Sequence, residues 1–252
     1  MLLAFGVVRI PIETRLTDDY HKEHFFTADL GIGLYQSIGQ QSFLAALGGL
    51  RAAVADGLWL QAHADWTRTE WGKMLLLFNN VTALQPRNVL FWDMSAWHMA
   101  YNASAAAMED PSVPRMALRL KHQHDYFLIG VDLLRRGIAN NPDKFKLHES
   151  LANILRDKLQ DHCAAAEEFA KVAAFPDAPT YAKRFAAYEL SYCPGHERDA
   201  YDQLLKYYNM GEKEWLPTLL SRLNDLQKQL NIPETQRVNI PANLLPKPHP
   251  NP

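Results

Sequence analysis

The sequence predicts an all-α protein, and three observations carry that prediction. Apolar residues recur every three or four positions, as in Phe43, Leu47, Leu50, Val54 and Leu58, which is the spacing of one helix face. Ala, Leu, Lys, Glu and Gln fill the long windows between turns, while the β-branched alternation of a half-buried strand is scarce. The third observation is punctuation. Val81-Thr82-Ala83-Leu84-Gln85-Pro86-Arg87-Asn88 closes one helical stretch, and Gly137-Ile138-Ala139-Asn140-Asn141-Pro142-Asp143 repeats that ending in weaker form. Helical hairpins that close on proline and start again are a repeat signal.

The totals set bounds. A chain of 252 residues is long enough for a well-buried core, as one domain or one array. Apolar residues make up 48% and charged residues 21%, a globular balance rather than a disordered one. A formal charge of -2 gives no general electrostatic case for nucleic acid. Two cysteines make neither a disulfide-dense scaffold nor a zinc framework, and they leave the redox compartment open.

In chain order, residues 1–34 read as a lead-in, 35–230 as the helical domain and 231–252 as a tail. The run from Met1 to Val8 is apolar, broken by Arg9 and followed by Ile10-Pro11-Ile12. It is far shorter than the ~20 residues that span a bilayer and lacks the charged start and small-residue cleavage site of a signal peptide. It reads either as a first segment packed on the helices or as the end of a membrane anchor whose upstream half precedes Met1. The first reading leaves the protein cytoplasmic. The second sets it at a membrane, on the periplasmic face in a bacterial cell. Residues 13–34 are polar, with Asp18, Asp19, His21 and His24.

The helix from Tyr35 to the Leu58 region carries Gly48, Gly49 and Gly57. They weaken it, but small residues on a packing face admit a close neighbour. Thr67 and Glu70 fit a capping box, with Trp66 and Trp71 as its hydrophobic staple. The next helix presents Trp71, Met74, Leu75, Phe78 and Val81 on one face and stops before Pro86, because the residue ahead of proline avoids the helical region. Residues 89–102 form another helix with Trp92, Ala96 and Met99 inward, and Ala103 to Pro114 is a wide connection. After Ser112 a long helix follows with Met116, Leu120, His124, Phe127, Val131, Leu134 and Ile138 on its stripe. A third pair takes Phe145 to Leu155, then Ala164 to Ala173, and closes at Phe175-Pro176. A fourth runs from Tyr181 to Tyr192, turns at Cys193-Pro194-Gly195 and continues to Tyr208. Trp215, Leu219, Leu223, Leu226 and Leu230 mark a last helix that covers the open end, as repeat arrays require. Beyond it, six prolines in 22 residues predict an extended, polyproline-like tail, in which Leu244-Leu245-Pro246 offers a short docking motif.

With Trp92 at a first large position, Ala96 at a small one and Pro86, Pro142 and Pro176 as closing prolines, the pattern resembles the tetratricopeptide repeat (TPR) family. Ala152, with Ala164 or Ala165, takes the small positions of the third unit, and Ala187 and Ala200 those of the fourth. The resemblance spans residues 50–230. The family's first-helix tyrosine is poorly matched, and the second unit holds an insertion of about 20 residues against a repeat of about 34. The resemblance implies a TPR-like α-solenoid of about four helical hairpins with a C-terminal capping helix, whose concave groove binds proteins or peptides. First helices line that groove in the family, so the resemblance points to Trp59, His63, Trp97, Tyr101, Arg184, Tyr188 and Tyr192 as binding residues.

Chemistry-bearing groups are few. His21 and His24 stand three apart beside Asp18 and Asp19, which on a helix would give two metal ligands on one face; a solvated polar lead-in is the plainer reading. His122 and His124, two apart, face different ways on a helix, and His98 reads as a packed or groove-lining side chain. No phosphate loop, nucleophile elbow or His-Glu-x-x-His pattern is present, so neither a catalytic residue nor a cofactor is expected. Cys163 opens the second helix of the third pair and Cys193 ends the first helix of the fourth. That topology brings the two ends close enough for a disulfide or, with His162 and His196, a Cys2His2 site, but separate thiols are the plainer reading. The function expected is a non-enzymatic scaffold for a protein or peptide partner, with membrane association through the N-terminus left open. The alternatives are a structural subunit of a membrane-associated assembly and a helical metal protein or enzyme.

Overall fold

The computed structural model describes residues 50–241 together with Leu244. The lead-in, with Asp18, Asp19, His21 and His24, lies outside the described residues, as do Phe43, Leu47, Gly48, Gly49, Leu245 and Pro246. Among the described residues every regular element is helical and there is no strand. The chain divides after Asn141 into two compact units.

The first unit opens with a hairpin of α1 (Arg51–Thr67) and α2 (Trp71–Leu84). α1 buries Ala55, Leu58, Ala62 and Asp65, a row at three- and four-residue spacing, whereas Leu50, expected on that row, is exposed. At Gly57 an added Cβ would meet nothing within 4 Å, so this glycine does not serve the close helix approach expected of it. The capping box is also corrected. The Thr67 hydroxyl donates to Ala64 O within the last turn of α1, and Glu70 stands directly before Trp71 without capping α2. α1 instead ends in a Schellman closure. Glu70 N–H reaches Asp65 O and Thr69 N–H reaches Trp66 O, both at 3.0 Å, with Thr69 in the left-handed region at φ 59°. That closure satisfies the last carbonyls of the helix, and it keeps Trp66 inside α1 and makes Trp71 the first residue of α2, so the staple is absent.

α3 (Val89–Trp97) is capped by Asn88, whose side chain accepts from Leu90 N–H. It runs without a break through a π turn (His98–Ala103) into α4 (Ser104–Glu109). The wide connection expected from Ala103 is therefore half helical. This run packs against α5 (Met116–Asn140). α5 buries Leu118, His122, Tyr126, Gly130, Leu133, Leu134 and Gly137, while Met116, Leu120 and His124 face solvent. The first half of the expected stripe is thus rotated out.

The two proline sign-offs share one conformation, with Gln85 at φ -128°, ψ 63° and Asn141 at φ -137°, ψ 59°. They are also joined. Asn141 Nδ2 donates to Pro86 O at 2.9 Å, Trp92 Nε1 donates to the same oxygen, and Arg87 donates to Asn140 O. Proline cannot continue the helix, and the carbonyl ahead of Arg87 becomes the anchor for the next elements.

The second unit follows the expected hairpins closely: α6 (Phe145–Asp157), α7 (His162–Ala173), α8 (Tyr181–Leu190), α9 (Glu197–Tyr208) and α10 (Pro217–Gln229). Each helix packs on its successor in sequence, and α8 also touches α10. Leu219, Leu223 and Leu226 of α10 are fully buried against Ala187, Ala200 and Leu204. Trp215 is not part of that helix. It precedes it, stacks on Tyr208 at 4.9 Å and donates to Tyr208 O. The tail is less extended than expected: α10 ends with Asn231 in the left-handed region, Ile232 is buried, and Val238 and Ile240 pack on the same core. A 3-10 turn (Glu234–Gln236) intervenes, and Gln227 accepts from Val238 N–H at 2.6 Å. Leu244 is half-exposed.

Polar pins cross the second unit between neighbouring helices. His148 Nδ1 meets Glu168 at 2.6 Å, His162 Nδ1 meets Glu189 at 2.7 Å, and Tyr181 O–H donates to Glu149. That bond is the main reason the Tyr181 phenol is pushed up to about 12, with burial and the Glu149 charge adding to it. Cys163 and Cys193, expected as separate thiols, are instead joined as a disulfide: the adjoining helix ends bring their Cα atoms to 5.0 Å, within bonding range. His162 is committed to Glu189 and His196 faces Asp199 at 3.8 Å, so neither histidine serves a Cys2His2 site.

Candidate functional site

Four of the residues singled out in the sequence come together in the first unit around His98. This histidine begins the π turn and is buried. Trp66 of α1 lies edge-on at 5.8 Å and Trp97 at 5.1 Å, with Phe78 of α2 tilted at 5.8 Å. His63 packs on Trp66 at 5.3 Å, and Tyr101 stacks on Trp97 at 6.3 Å. Trp59 lies on the inner side, against Phe78 and Phe91 at 5.3 and 5.0 Å. It is half-buried, a core aromatic where a groove anchor was expected.

The local sequence explains the arrangement. An α-helix turns about 100° per residue, so Trp97 and Tyr101 would drift apart by about 40° on an unbroken helix, and Tyr101 and Ala105 by as much again. The π turn closes i→i+5 bonds and takes up extra residues, which holds Trp97, Tyr101 and Ala105 on one side while His98 points inward. Asn102, four residues on, donates Nδ2–H to His98 Nδ1 at 3.0 Å. Nδ1 therefore accepts, and Nε2 carries the proton of the neutral ring. Burial among apolar rings, and then the charge of His63, lower the imidazole to about 4, so His98 is uncharged at neutral pH. Nearby, burial and the Glu70 charge push the Asp65 carboxyl up, against the pull of Lys73 and Arg68.

The surface of this cluster is largely aromatic. Trp97 is 43% exposed, and His63 is exposed beside it on α1. Held by stacking and by a neutral imidazole, an indole in this position loses little freedom when a partner covers it, which is the property of an interface anchor.

Arg184, Tyr188 and Tyr192 lie in the second unit and do not join that cluster. Arg184 donates to Glu214 at 2.6 Å, a neutralised pair. Tyr188 is 6% exposed; its hydroxyl and the Arg184 Nε are buried without a hydrogen-bond partner. Tyr188 is therefore a core group and not the groove-lining residue expected, whereas Arg184 keeps 22% of its side chain exposed while paired to Glu214. Tyr192 is 47% exposed but capped on one face by the Arg222 guanidinium, 3.9 Å from the ring centre, with His162 at 4.8 Å. Arg222 also donates to Ser191 Oγ and O, tying α10 to the end of α8.

His98 is packed, one of the two readings the sequence offered; what the sequence did not announce is its bond to Asn102 and its place at the centre of the cluster. The available signal was an asparagine four residues after a histidine, inside a run of four aromatics from Phe91 to Tyr101. Among the described residues no three His, Cys, Asp or Glu side chains converge as metal ligands, and no helix is long and apolar enough to cross a membrane. No protein-family model, curated protein or solved structure matches this chain.

Proposed function

We propose that this protein is a non-enzymatic helical-repeat scaffold of TPR-like design that binds a protein or peptide partner, with Trp97 as its principal anchor. The repeat reading is supported by the sequential packing of α6 to α10. It also draws on Ala96, Ala152, Ala165, Ala187 and Ala200, small residues in the family register that are all fully buried.

The observation that carries the binding reading is the exposed Trp97, stacked on Tyr101 and backed by a neutral His98. A large aromatic left partly in water on a preorganised support gains more from a partner than any flexible side chain of equal area. Affinity capture from soluble and membrane fractions, run with the wild-type chain and with Trp97→Ala, tests it. A protein recovered at constant ratio with wild type and lost with Trp97→Ala supports the reading. Identical recoveries from the two baits would sink it.

A further inference from the structure

After α10 the chain doubles back on its own helices. Asn231 turns it through the left-handed region, and Ile232 N–H donates to Gln227 O at 2.9 Å. The 3-10 turn (Glu234–Gln236) then delivers Arg237 in extended conformation, at φ -72°, ψ 142°. Residues 238–241 continue without helix or turn, and Pro241 pushes Ile240 ahead of it to extended backbone. Val238 and Ile240 are half-buried while Asn239 is exposed, the alternation of an extended segment covered on one face. That face lies on the core of Leu204, Leu219, Leu223 and Leu226. Two side chains grip the backbone of this strap. Gln227 of α10, only 3% exposed, accepts from Val238 N–H at 2.6 Å. Tyr208, the last residue of α9, donates its hydroxyl to Asn239 O at 2.7 Å, and Trp215 stacked on the Tyr208 ring holds it in place.

We propose that the surface between Tyr208 and Gln227 is a binding groove for an extended peptide of a partner protein, and that residues 237–241 occupy it in cis as a displaceable strap. Bonds to backbone, with apolar contacts at alternate residues, are how proteins recognise extended peptides. The strap shows which chemistry fits: aliphatic residues two apart, a solvent-facing residue between them, and a proline next to hold the extended form. Because the two hydrogen bonds are made to backbone, the groove does not require the strap's own sequence. A buried amide oxygen left without a donor costs more than its bond contributes, so Gln227, once the strap leaves, favours another backbone N–H in the same place. Release of the strap breaks no hydrogen bond within α9 or α10, since both of its grips are side-chain groups. This goes beyond the Trp97 reading and does not rest on it, because the groove lies wholly in the second unit.

Fluorescence anisotropy on the full chain tests the proposal, with a peptide of residues 238–244 acetylated at its amino end and labelled at its carboxyl end. In wild type the strap competes from within the molecule, at an effective concentration on the order of millimolar. Val238→Ser with Ile240→Ser weakens the strap and leaves the groove intact, so this variant should bind the peptide at least about ten-fold tighter than wild type. Adding Tyr208→Phe removes one backbone bond and should weaken that binding about five-fold. A peptide carrying both serines should not bind. Displacement is read on the wild-type chain with trypsin, for which the peptide has no site. In the seated strap Arg237 donates Nε–H to Ile232 O at 2.8 Å, and saturating peptide should speed cleavage after Arg237 several-fold. No saturable binding to a strap variant that keeps its helical circular dichroism overturns the proposal, as does equal binding with and without Tyr208→Phe. If the strap variant does not fold, wild-type cleavage decides, and a rate unchanged by peptide overturns the proposal. A wild-type dimer dissolved by Val238→Ser with Ile240→Ser would give the groove to the strap of a second copy and overturn the partner peptide. Trp97→Ala should leave every one of these readouts unchanged, so failure here leaves the Trp97 reading standing.

Discussion

At the scale of single residues, three groups sit where elementary physics would not put them, and each makes a prediction. Thr69 is β-branched yet holds φ 59°, a region that costs a non-glycine residue roughly 1–2 kcal/mol. Its hydroxyl only reaches back to Arg68 O. Thr69→Gly should therefore raise stability by about 1 kcal/mol in urea unfolding, since the Schellman closure needs the backbone alone; a loss would show that the side chain matters. Tyr188 buries a hydroxyl with no partner, and a satisfied bond would have contributed about 1 kcal/mol. Tyr188→Phe should be neutral or stabilising, whereas a drop of that size would reveal a bond to the hydroxyl. His98 is lowered from 6.5 to about 4, first by burial. Between those values the unfolded chain binds a proton that the native ring refuses, so stability is full above pH 6.5 and declines as pH falls toward 4. At pH 5 the loss is about 2 kcal/mol, and His98→Phe should remove that part of the pH dependence. Equal slopes for the two proteins between pH 7 and 5 would refute the assignment.

At the scale of elements, what could be read in the sequence depended on whether local signals agreed. The helices of the second unit carry single apolar stripes bounded by Pro, Gly and Asp, and their ends fall within a few residues of expectation. Because those boundaries were right, the nearness of Cys163 and Cys193 could be anticipated from topology, but their bond could not, since the sequence favoured separate thiols. The α1–α2 junction failed because two closures competed for one stretch. Thr67 and Glu70 fit a capping box, but Thr69 in the left-handed region ended α1 later and removed the box. On α5 both sides of the first half are apolar, and burial of His122, Gly130 and Gly137 outweighs Met116 and Leu120. No hydrophobicity pattern announces glycine as the buried side. The π turn is likewise set by tertiary packing of His98, which local propensity does not encode. The disulfide yields its own test at this scale. It closes a loop of 30 residues that includes most of α7 and α8, and chain entropy assigns such a crosslink about 3–4 kcal/mol. Cys163→Ser with Cys193→Ser should lower urea stability by that order. An unchanged midpoint would mean that the His162–Glu189 and Tyr181–Glu149 pins already hold the hairpin.

For the whole molecule, the division after Asn141 separates these sensitivities. Five of the six tryptophans, Trp59, Trp66, Trp71, Trp92 and Trp97, belong to the first unit, and only Trp215 to the second. The histidine whose titration weakens the fold is in the first unit, and the disulfide is in the second. In the second unit Glu168 opposes its own burial with hydrogen bonds from His148 and Lys171, and its carboxyl ends below the ordinary value. A depressed carboxylate loses its contribution only as pH falls below the unfolded value near 4.5 toward the folded one. Mild acid and reductant should therefore strike different halves. At pH 5, unfolding followed by tryptophan fluorescence should move to lower denaturant, while the remaining helical signal at 222 nm moves less. At pH 7.5 with reductant the order should invert: the helical signal gains an early phase and the fluorescence midpoint stays near its starting value. Coincident shifts of both probes under both treatments would show one cooperative block in place of two units.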